Sequence, residues 1–185
     1  MIEELLYDNS VDLSELVAIS VSIGPGSYTG LRVGMSAAKG LSFALGIPIM
    51  GISTLEALAQ PYKGNTEGKS VISAIDARRN EVYMAIFDPF MNLLKGDHCL
   101  IIEENTYPDG WPVADKIIVC GNGANKIGEL LGNFPLESID SECDAGQQVY
   151  LAHVKLKNQK FDDINYLKPN YLKPPNITQS KKKLF

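Results

Sequence analysis

The sequence predicts an α/β protein with mixed sheets, arranged as two lobes. An apolar run over 17–23, rich in β-branched residues, is followed by a glycine-rich turn and a segment of helical period that reaches about Leu45. Two alternating segments, 70–76 and 81–87, flank a polar turn and are typical of a β-hairpin. The polar stretch 61–69 lies between these units and has the composition of a linker.

The remaining elements follow from shorter patterns. A helix start is expected at Thr54, because a hydroxyl side chain can accept from the free amides of a first turn. In chain order, we predict an amphipathic helix over 1–7, a short helical piece over 12–16, a strand within 46–53, a helix over 54–60, strands over 93–103 and 116–120, a short helix ending at 131 and a last helix over 145–156.

Size and composition indicate an ordinary globular protein. The chain has 185 residues, of which 45% are hydrophobic and 21% are charged, so it can bury a core and is not of the disordered class. Its formal net charge is −5, which is the wrong sign for a surface that binds nucleic acid as a whole. We therefore do not expect this chain to bind a nucleic acid tightly by itself.

Cysteine and histidine placement predicts neither a disulfide framework nor a metal site. Cys99, Cys120 and Cys143 are widely spaced and form no C-x-x-C pair, so we expect reduced thiols in or near a core. His98 and His153 are far apart, and neither has a histidine one helical turn away. No apolar run reaches membrane-spanning length and the start of the chain is acidic, so we predict a cytoplasmic protein without membrane contact.

The glycine-rich turn is the strongest chemical signal. Glycines allow the backbone to approach another group closely, and Ser27 or Thr29 can cap the helix that follows. Helix N-terminal amides and the helix dipole both favour negative charge. The predicted anion or nucleotide loop consists of Gly24, Gly26, Ser27, Thr29, Gly30 and Arg32.

Known phosphate motifs fit this turn poorly. The spacing Gly24-x-Gly26-x-x-x-Gly30 is one residue longer than a dinucleotide fingerprint, and the next strand does not end in an acidic residue. No Gly-Lys-Ser/Thr follows, so a P-loop is not indicated either. A tight structural crossing without a ligand remains the alternative.

A second polar cluster lies at the tip of the predicted hairpin. Asp76, Arg78, Arg79 and Glu81 could form the rim of a cleft, with an arginine facing a phosphate or a carboxylate. The alternative is a hairpin tip whose charges pair with one another. No Ser-His-Asp or Cys-His arrangement can be argued from the pattern.

Several motifs in the first half of the chain resemble one known family. They are GPGSYTGLRVG at 24–34, AKGL at 38–41, IP at 47–48, GISTLEALA at 51–59 and DARRNEVY at 76–83. In order and spacing they resemble the TsaB (YeaZ) family, whose members are inactive relatives within the Kae1/TsaD, ASKHA-type superfamily and support threonylcarbamoyladenosine modification of tRNA. The resemblance is dense from about Leu5 to Phe87 and thin beyond.

This resemblance implies a two-lobed actin/Hsp70-like (ASKHA, ribonuclease H-like) fold with mixed sheets. The leading strands of the family, with their phosphate motif, have no counterpart before the first predicted helix, so we expect a first lobe truncated at its N-terminus. The expected division is a first lobe over 1–60, a linker over 61–69, a second lobe over 70–160 and an extended tail over 161–185. The lysines at 181–183 are either a solvated end or a contact to tRNA phosphate.

The resemblance also implies a non-catalytic role. The H-x-x-x-H metal motif of the catalytic relatives is absent, so we expect an accessory subunit rather than an enzyme. Its expected partners are a TsaD-like catalytic subunit and a TsaE-like ATPase, with tRNA bound only through the complex and a homodimer formed in isolation. No cofactor is expected for this chain itself, and ATP with Mg²⁺ is expected only at the level of the complex. The alternative is a small nucleotide-binding or phosphotransfer enzyme that uses the Gly24–Gly30 loop.

The helix after the glycine turn has an apolar arc wider than packing on one sheet requires. It is either enclosed within this protein or shared with a partner, and the family pattern favours the partner. The predicted partner surface consists of Ile2, Leu5, Leu6, Leu31, Met35, Ala38, Ser42 and Leu45. An adjacent side carries only small apolar residues, namely Val33, Ala37, Gly40 and Ala44.

Overall fold

The computed structural model describes residues 2–103, 117–131 and 136–174. The α-helices are α1 Ile2–Asp8, α2 Tyr28–Leu45, α3 Thr54–Ala59, α4 Ala124–Leu131 and α5 Val149–Lys157. The strands are β1 Ile19–Gly24, β2 Ile49–Ser53, β3 Ser70–Asp76, β4 Glu81–Phe87, β5 Leu93–Ile101, β6 Ile117–Cys120 and β7 Leu136–Ile139. Short 3₁₀ turns cover Leu13–Glu15, Gln60–Tyr62 and Ala145–Gln148. None of the helices in these ranges is both long and apolar enough to cross a bilayer.

The strands form two sheets. Strands β1 and β2 are parallel and make a two-stranded sheet. The second sheet has the order β5-β4-β3-β6-β7, with β3, β4 and β5 antiparallel and with β6 and β7 parallel to β3. The predicted α/β class with a mixed sheet is therefore confirmed.

Helix α2 covers the two-stranded sheet. Ser27 caps its first turn by accepting a hydrogen bond from the Gly30 amide at 3.3 Å, and Gly46 ends it in the left-handed conformation with a φ of 64°. One face of α2 lies on the sheet, where Met35 and Ala38 are buried against Val21 and Ile49. Apolar burial of this kind contributes most of the stability of a helix within a protein.

The five-stranded sheet is buried on both faces. One face carries a core that includes Ile72, Met84 and Ile127, and the side chain of Ile127 comes from α4. The opposite face packs against α3 through Leu55 and Leu58. Helix α3 therefore packs on the second sheet, although the predicted limit at residue 60 assigns it to the first lobe. The limits of the lobes stay a prediction.

Most element predictions agree with the structure to within two residues. The hairpin strands have the predicted limits, 70–76 and 81–87. The predicted helix over 145–156 is a 3₁₀ turn followed by α5, which runs to Lys157. Strand β7 was not predicted, because four residues with two polar ones between their apolar ends show no clear period.

The segment after α5 lies on the body of the protein as an extended chain. The Asp162 amide donates to the Ile49 carbonyl at 2.9 Å, and the Asp162 carboxylate accepts from the Gly51 amide at 2.8 Å. Ile164 and Leu167 pack against the core under the first sheet. The lysines at 181–183 lie outside the described residues.

Gly121, directly after β6, has the closest neighbour at its Cβ position among the described glycines. Its φ is +104°, and a Cβ atom placed there would lie 2.2 Å from the Ala74 carbonyl oxygen and 2.5 Å from a Leu58 methyl group. This close approach lets β6 and its following turn pack on the end of β3.

We predict that Gly121→Ala lowers the free energy of unfolding by about 2–4 kcal/mol, because it combines backbone strain with overpacking. Gly128→Ala is the matched control, since that helical glycine has open space around its Cβ position and should gain about 0.5–1 kcal/mol. Urea unfolding of both variants measures the difference. Equal effects at the two positions would contradict the close approach at Gly121.

Candidate ligand cleft and partner face

A cavity of about 550 Å³ lies where the two sheets meet. Most of its wall comes from three parts of the chain that are distant in sequence: the glycine loop at 25–29, the end of β3 with its turn at 75–78, and the extended segment at 170–174. Tyr83 and Asn122 complete the lining. The structure therefore brings the predicted anion loop and part of the predicted cleft rim to the same cavity.

The glycine loop contributes only some of its predicted residues to this cavity. Gly26, Ser27 and Thr29 line it, and Gly26 has no heavy atom within 4 Å of its Cβ position. Gly24 serves packing instead, because a Cβ there would lie 2.8 Å from a Leu31 methyl group and 3.2 Å from the Asn170 carbonyl oxygen.

Gly30 and Arg32 do not line the cavity. The Gly30 amide is used by the Ser27 cap. The Arg32 guanidinium lies 5.5 Å from the centre of the Tyr28 ring, on the exposed side of α2. Gly24 and Gly30 therefore have the purely structural role that the sequence left open as an alternative. Gly26, Ser27 and Thr29 line the cavity.

The charged turn is held by lysines from elsewhere in the fold. The Asp76 carboxylate accepts from Lys126 Nζ at 2.5 Å and from the Arg78 amide at 2.6 Å. Burial acts to raise the pKa of Asp76, but these hydrogen bonds outweigh it and lower the pKa below its ordinary value. Glu81 forms an ion pair with Lys173. The alternative of charges paired within the turn is therefore wrong.

The two arginines of the turn differ in position. Arg78 lines the cavity, and within the described residues its guanidinium has no hydrogen bond or ion pair. Arg79 and Glu81 lie outside the cavity lining. Among the described residues that line the cavity, Arg78 is thus an unpaired cation, whereas Asp76 and Lys173 are neutralised, an arrangement suited to an anionic or polar ligand.

A half-buried carboxylate that the sequence did not single out, Asp97, links β5 to the rest of the cleft. Asp97 accepts from Ser53 Oγ at 2.9 and 3.1 Å and from Asn170 Nδ2 at 3.4 Å. Ser53 in turn caps α3 by accepting from the Glu56 amide. Burial raises the pKa of Asp97, and burial together with the Asp97 charge raises the pKa of Glu56.

The predicted partner surface requires a correction. Leu31, Met35, Ala38 and Ser42 are buried, so they cannot form an exposed surface of this chain. Their spacing of four, three and four residues puts them on the one face of α2 that packs on the sheet. Of the other predicted residues, Ile2 and Leu5 are exposed, whereas Leu6 and Leu45 are half-buried.

The outward face of α2 is instead the side of small residues. Ala37, Gly40 and Ala44 are exposed there together with Val33, which is 65% exposed. Phe43, which is 82% exposed, lies beside them. The alternative of a helix enclosed within this chain is therefore wrong. Among the described residues, no group of three histidine, cysteine or acidic side chains is placed to hold a metal ion.

The mixed sheets, the glycine loop before α2 and the cleft between the sheets define this chain as a protein of the two-lobed actin/Hsp70-like (ASKHA) class. A family model described as "TsaD: tRNA N6-adenosine threonylcarbamoyltransferase" matches residues 1–134, and the chain belongs to that family. The predicted resemblance to TsaB (YeaZ) proteins is confirmed by its relatives and by solved structures.

Two of these relatives are named tRNA threonylcarbamoyladenosine biosynthesis protein TsaB. The protein from Haemophilus influenzae is 42% identical over 85 residues, which cover 46% of this chain and 36% of that protein. The protein from Escherichia coli K12 is 38% identical over 85 residues, or 46% of this chain and 37% of that protein. The chain thus matches little more than a third of the length of either relative.

Two solved structures from Pseudomonas aeruginosa resemble this fold over nearly the whole chain. One is described as an uncharacterized protein with similarity to peptidase YEAZ; it has a TM-score of 0.77 at 28% identity and covers 94% of this chain and 81% of that one. The other is described as YeaZ, with the same TM-score and identity, and covers 93% of this chain and 82% of that one.

We predict that Asp97→Asn removes a pH-dependent destabilisation. A carboxyl whose pKa is higher in the folded state binds its proton more tightly there, so its contribution to stability is fullest below the ordinary pKa and declines as the pH rises through the folded pKa. Asparagine keeps an acceptor for Ser53 and cannot ionise. The free energy of unfolding of D97N relative to wild type should therefore rise between about pH 4 and about pH 7.

The control is Asp8→Asn, which makes the same charge change at an exposed site on α1. The free energy of unfolding of the wild type, Asp97→Asn and Asp8→Asn is measured by chemical denaturation at both pH values. If D97N lost the same stability at both, hydrogen-bond geometry rather than the buried charge would account for the role of Asp97.

Proposed function

We propose that this chain is a non-catalytic subunit in the threonylcarbamoyladenosine modification of tRNA, and that it binds and supports a TsaD-like catalytic subunit. Its family membership and the names of its relatives support the pathway. The observation that carries the binding role is the outward face of α2, where Val33 and Phe43 are exposed next to small residues.

This face has the features of a helix-docking surface. Exposed apolar side chains at its edges provide area that is removed from water on binding. Ala37, Gly40 and Ala44 leave the backbone of α2 accessible, so that a partner helix can approach closely. Ile2 and Leu5 on α1 add exposed apolar side chains to the first part of the chain.

The cleft supports a binding role better than a catalytic one. Asp76 is held in its ionised form by Lys126, which makes it a weak general base. Glu81 is engaged by Lys173. The remaining charge, Arg78, suits recognition of an anion but supplies no nucleophile or base.

The rest of the assembly follows from the same proposal. A TsaE-like ATPase joins the complex in the cytoplasm, and ATP with Mg²⁺ acts at the level of the complex rather than as a cofactor of this chain. With a net charge of −5, the chain reaches tRNA only through its partners. In their absence, the outward face of α2 pairs with the same face of a second copy.

A small nucleotide-binding or phosphotransfer enzyme is the second candidate, and the cavity between the glycine loop and Arg78 is the observation that favours it. Calorimetric titration of the purified chain with ATP, with and without Mg²⁺, separates the two candidates. Tight binding that requires Mg²⁺ would support the enzyme, whereas weak or absent binding is expected for the accessory subunit.

We predict that Phe43→Asp abolishes or greatly weakens the one-to-one complex with the TsaD-like protein of the same organism. Burial of a large apolar side chain contributes roughly 1.5–3 kcal/mol, so the dissociation constant should rise at least about tenfold. Val33→Glu should act in the same direction. Light scattering after size exclusion and a titration by calorimetry measure assembly and affinity.

Phe90→Asp is the matched control, because Phe90 is 83% exposed but lies in the β4–β5 connection rather than on α2. It should fold and bind like the wild type. Unchanged partner binding by the folded Phe43 and Val33 variants would refute the proposal that α2 provides the docking face.

A further inference from the structure

The extended segment 162–174 joins the two walls of the cleft. Its first part, 162–167, is anchored on the first sheet. The Asp162 amide donates to the Ile49 carbonyl, the Asp162 carboxylate accepts from the Gly51 amide, and Leu167 packs against the core. A Cβ at Gly51 would lie 2.9 Å from a Leu167 methyl group, which shows how closely this part of the segment lies on β2.

The second part, residues 170–174, runs along the cleft and is called the strap below. The Asn170 amide donates to the Ile23 carbonyl at 2.7 Å, at the base of the glycine loop. The ring of Tyr171 stacks on that of Tyr28, with their centres 4.7 Å apart. The strap thus begins on the wall formed by the glycine loop.

The strap ends on the opposite wall. Lys173 forms an ion pair with Glu81 and also donates to the Ala77 carbonyl at 2.9 Å. Its ammonium group lies 5.7 Å from the centre of the Tyr83 ring. Lys173 therefore holds the strap to the turn between β3 and β4.

The sequence itself provides an internal comparison. The pentapeptide Asn-Tyr-Leu-Lys-Pro occurs twice in succession, at 165–169 and at 170–174. Lys168 in the first copy is exposed and has no partner within the described residues, whereas Lys173 in the second copy bridges two groups. Tyr166 is 81% exposed, whereas Tyr171 is stacked and 42% exposed. The second copy of the pentapeptide thus contacts the walls of the cleft through Tyr171 and Lys173.

The two parts of the segment are held by contacts of different strength. The first part is stabilised by apolar burial together with backbone pairing. The strap is held instead by a partly exposed aromatic stack, a half-buried ion pair and the hydrogen bonds of Asn170 to Ile23 and Asp97. Local opening occurs most readily where contacts of the second kind predominate.

We propose that residues 170–174 are a reversible closure of the cleft, that Lys173 is the latch, and that the anchored part at 162–167 stays in place when the closure opens. In the open state, Tyr28 on the glycine loop and Ala77 on the turn lose their contacts with the strap.

A cysteine reporter tests this closure on the full chain. Ala77→Cys introduces a thiol at a position that lines the cavity, is only 5% exposed and has its backbone carbonyl bonded to Lys173, so the thiol is shielded while the strap is in place. Labelling with a maleimide is followed at this site by peptide mass spectrometry. Gly40→Cys on the outward face of α2 is the reference thiol.

Adding Lys173→Met to the reporter should raise the labelling rate at residue 77 at least about tenfold and leave residue 40 unchanged, because local opening governs access. Lys168→Met, the equivalent change in the first copy of the pentapeptide, should have no effect. In hydrogen exchange, Lys173→Met should accelerate the Asn170 amide but not the Asp162 amide. The paired exchange Lys173→Glu with Glu81→Lys should restore slow labelling.

Two results would overturn the proposal. Unchanged labelling in Lys173→Met would show that Lys173 is not a latch or that the strap does not limit access. Equal acceleration of exchange at Asn170 and Asp162 would show that the whole segment detaches. Neither measurement involves a TsaD-like partner, so the outcome is independent of the proposed function.

Discussion

Strand β3 is the element on which the rest of the structure depends. All of its residues except Asp76 are buried, because sheet neighbours flank it on both sides and helices cover both faces. Its antiparallel partner β4 and its parallel partner β6 could not pair without it. The strand therefore places Asp76 and the turn that follows at the edge of the cleft with little freedom. The close backbone approach at Gly121 reinforces that placement.

The charges around the cleft hold the fold together across long sequence separations. Lys126 on α4 binds Asp76, and Lys173 in the extended segment binds Glu81. Asp97 on β5 joins Ser53 at the end of β2 and Asn170 in the same segment. These carboxylates are engaged in structural contacts, whereas Arg78 has no hydrogen-bond or ion-pair partner for its guanidinium among the described residues. This distribution favours a cleft that binds an anionic ligand rather than one that performs acid–base chemistry.

For helix α2, the predicted limits are correct but the predicted partner surface is wrong. Its start, its end at Leu45 and its wide apolar arc were all evident from periodicity and from the residues that flank it. Periodicity does not state which side of such an arc meets the sheet. The larger side chains Leu31 and Met35 fill the space over β1, and the smaller side faces outward. The candidate docking face of α2 was therefore assigned to the wrong side.

The sequence by itself determined the family, the α/β class, the hairpin limits and the glycine loop, because these depend on residues that are close along the chain. It also located Gly26 and Arg78 as candidate cleft residues, which the structure places in one cavity. Only the tertiary structure decided the partners of Asp76 and Glu81, which are separated from their lysines by 50 and 92 positions. It also decided which face of α2 is buried. Such contacts arise from the packing of distant segments, and no local pattern of residue types encodes them.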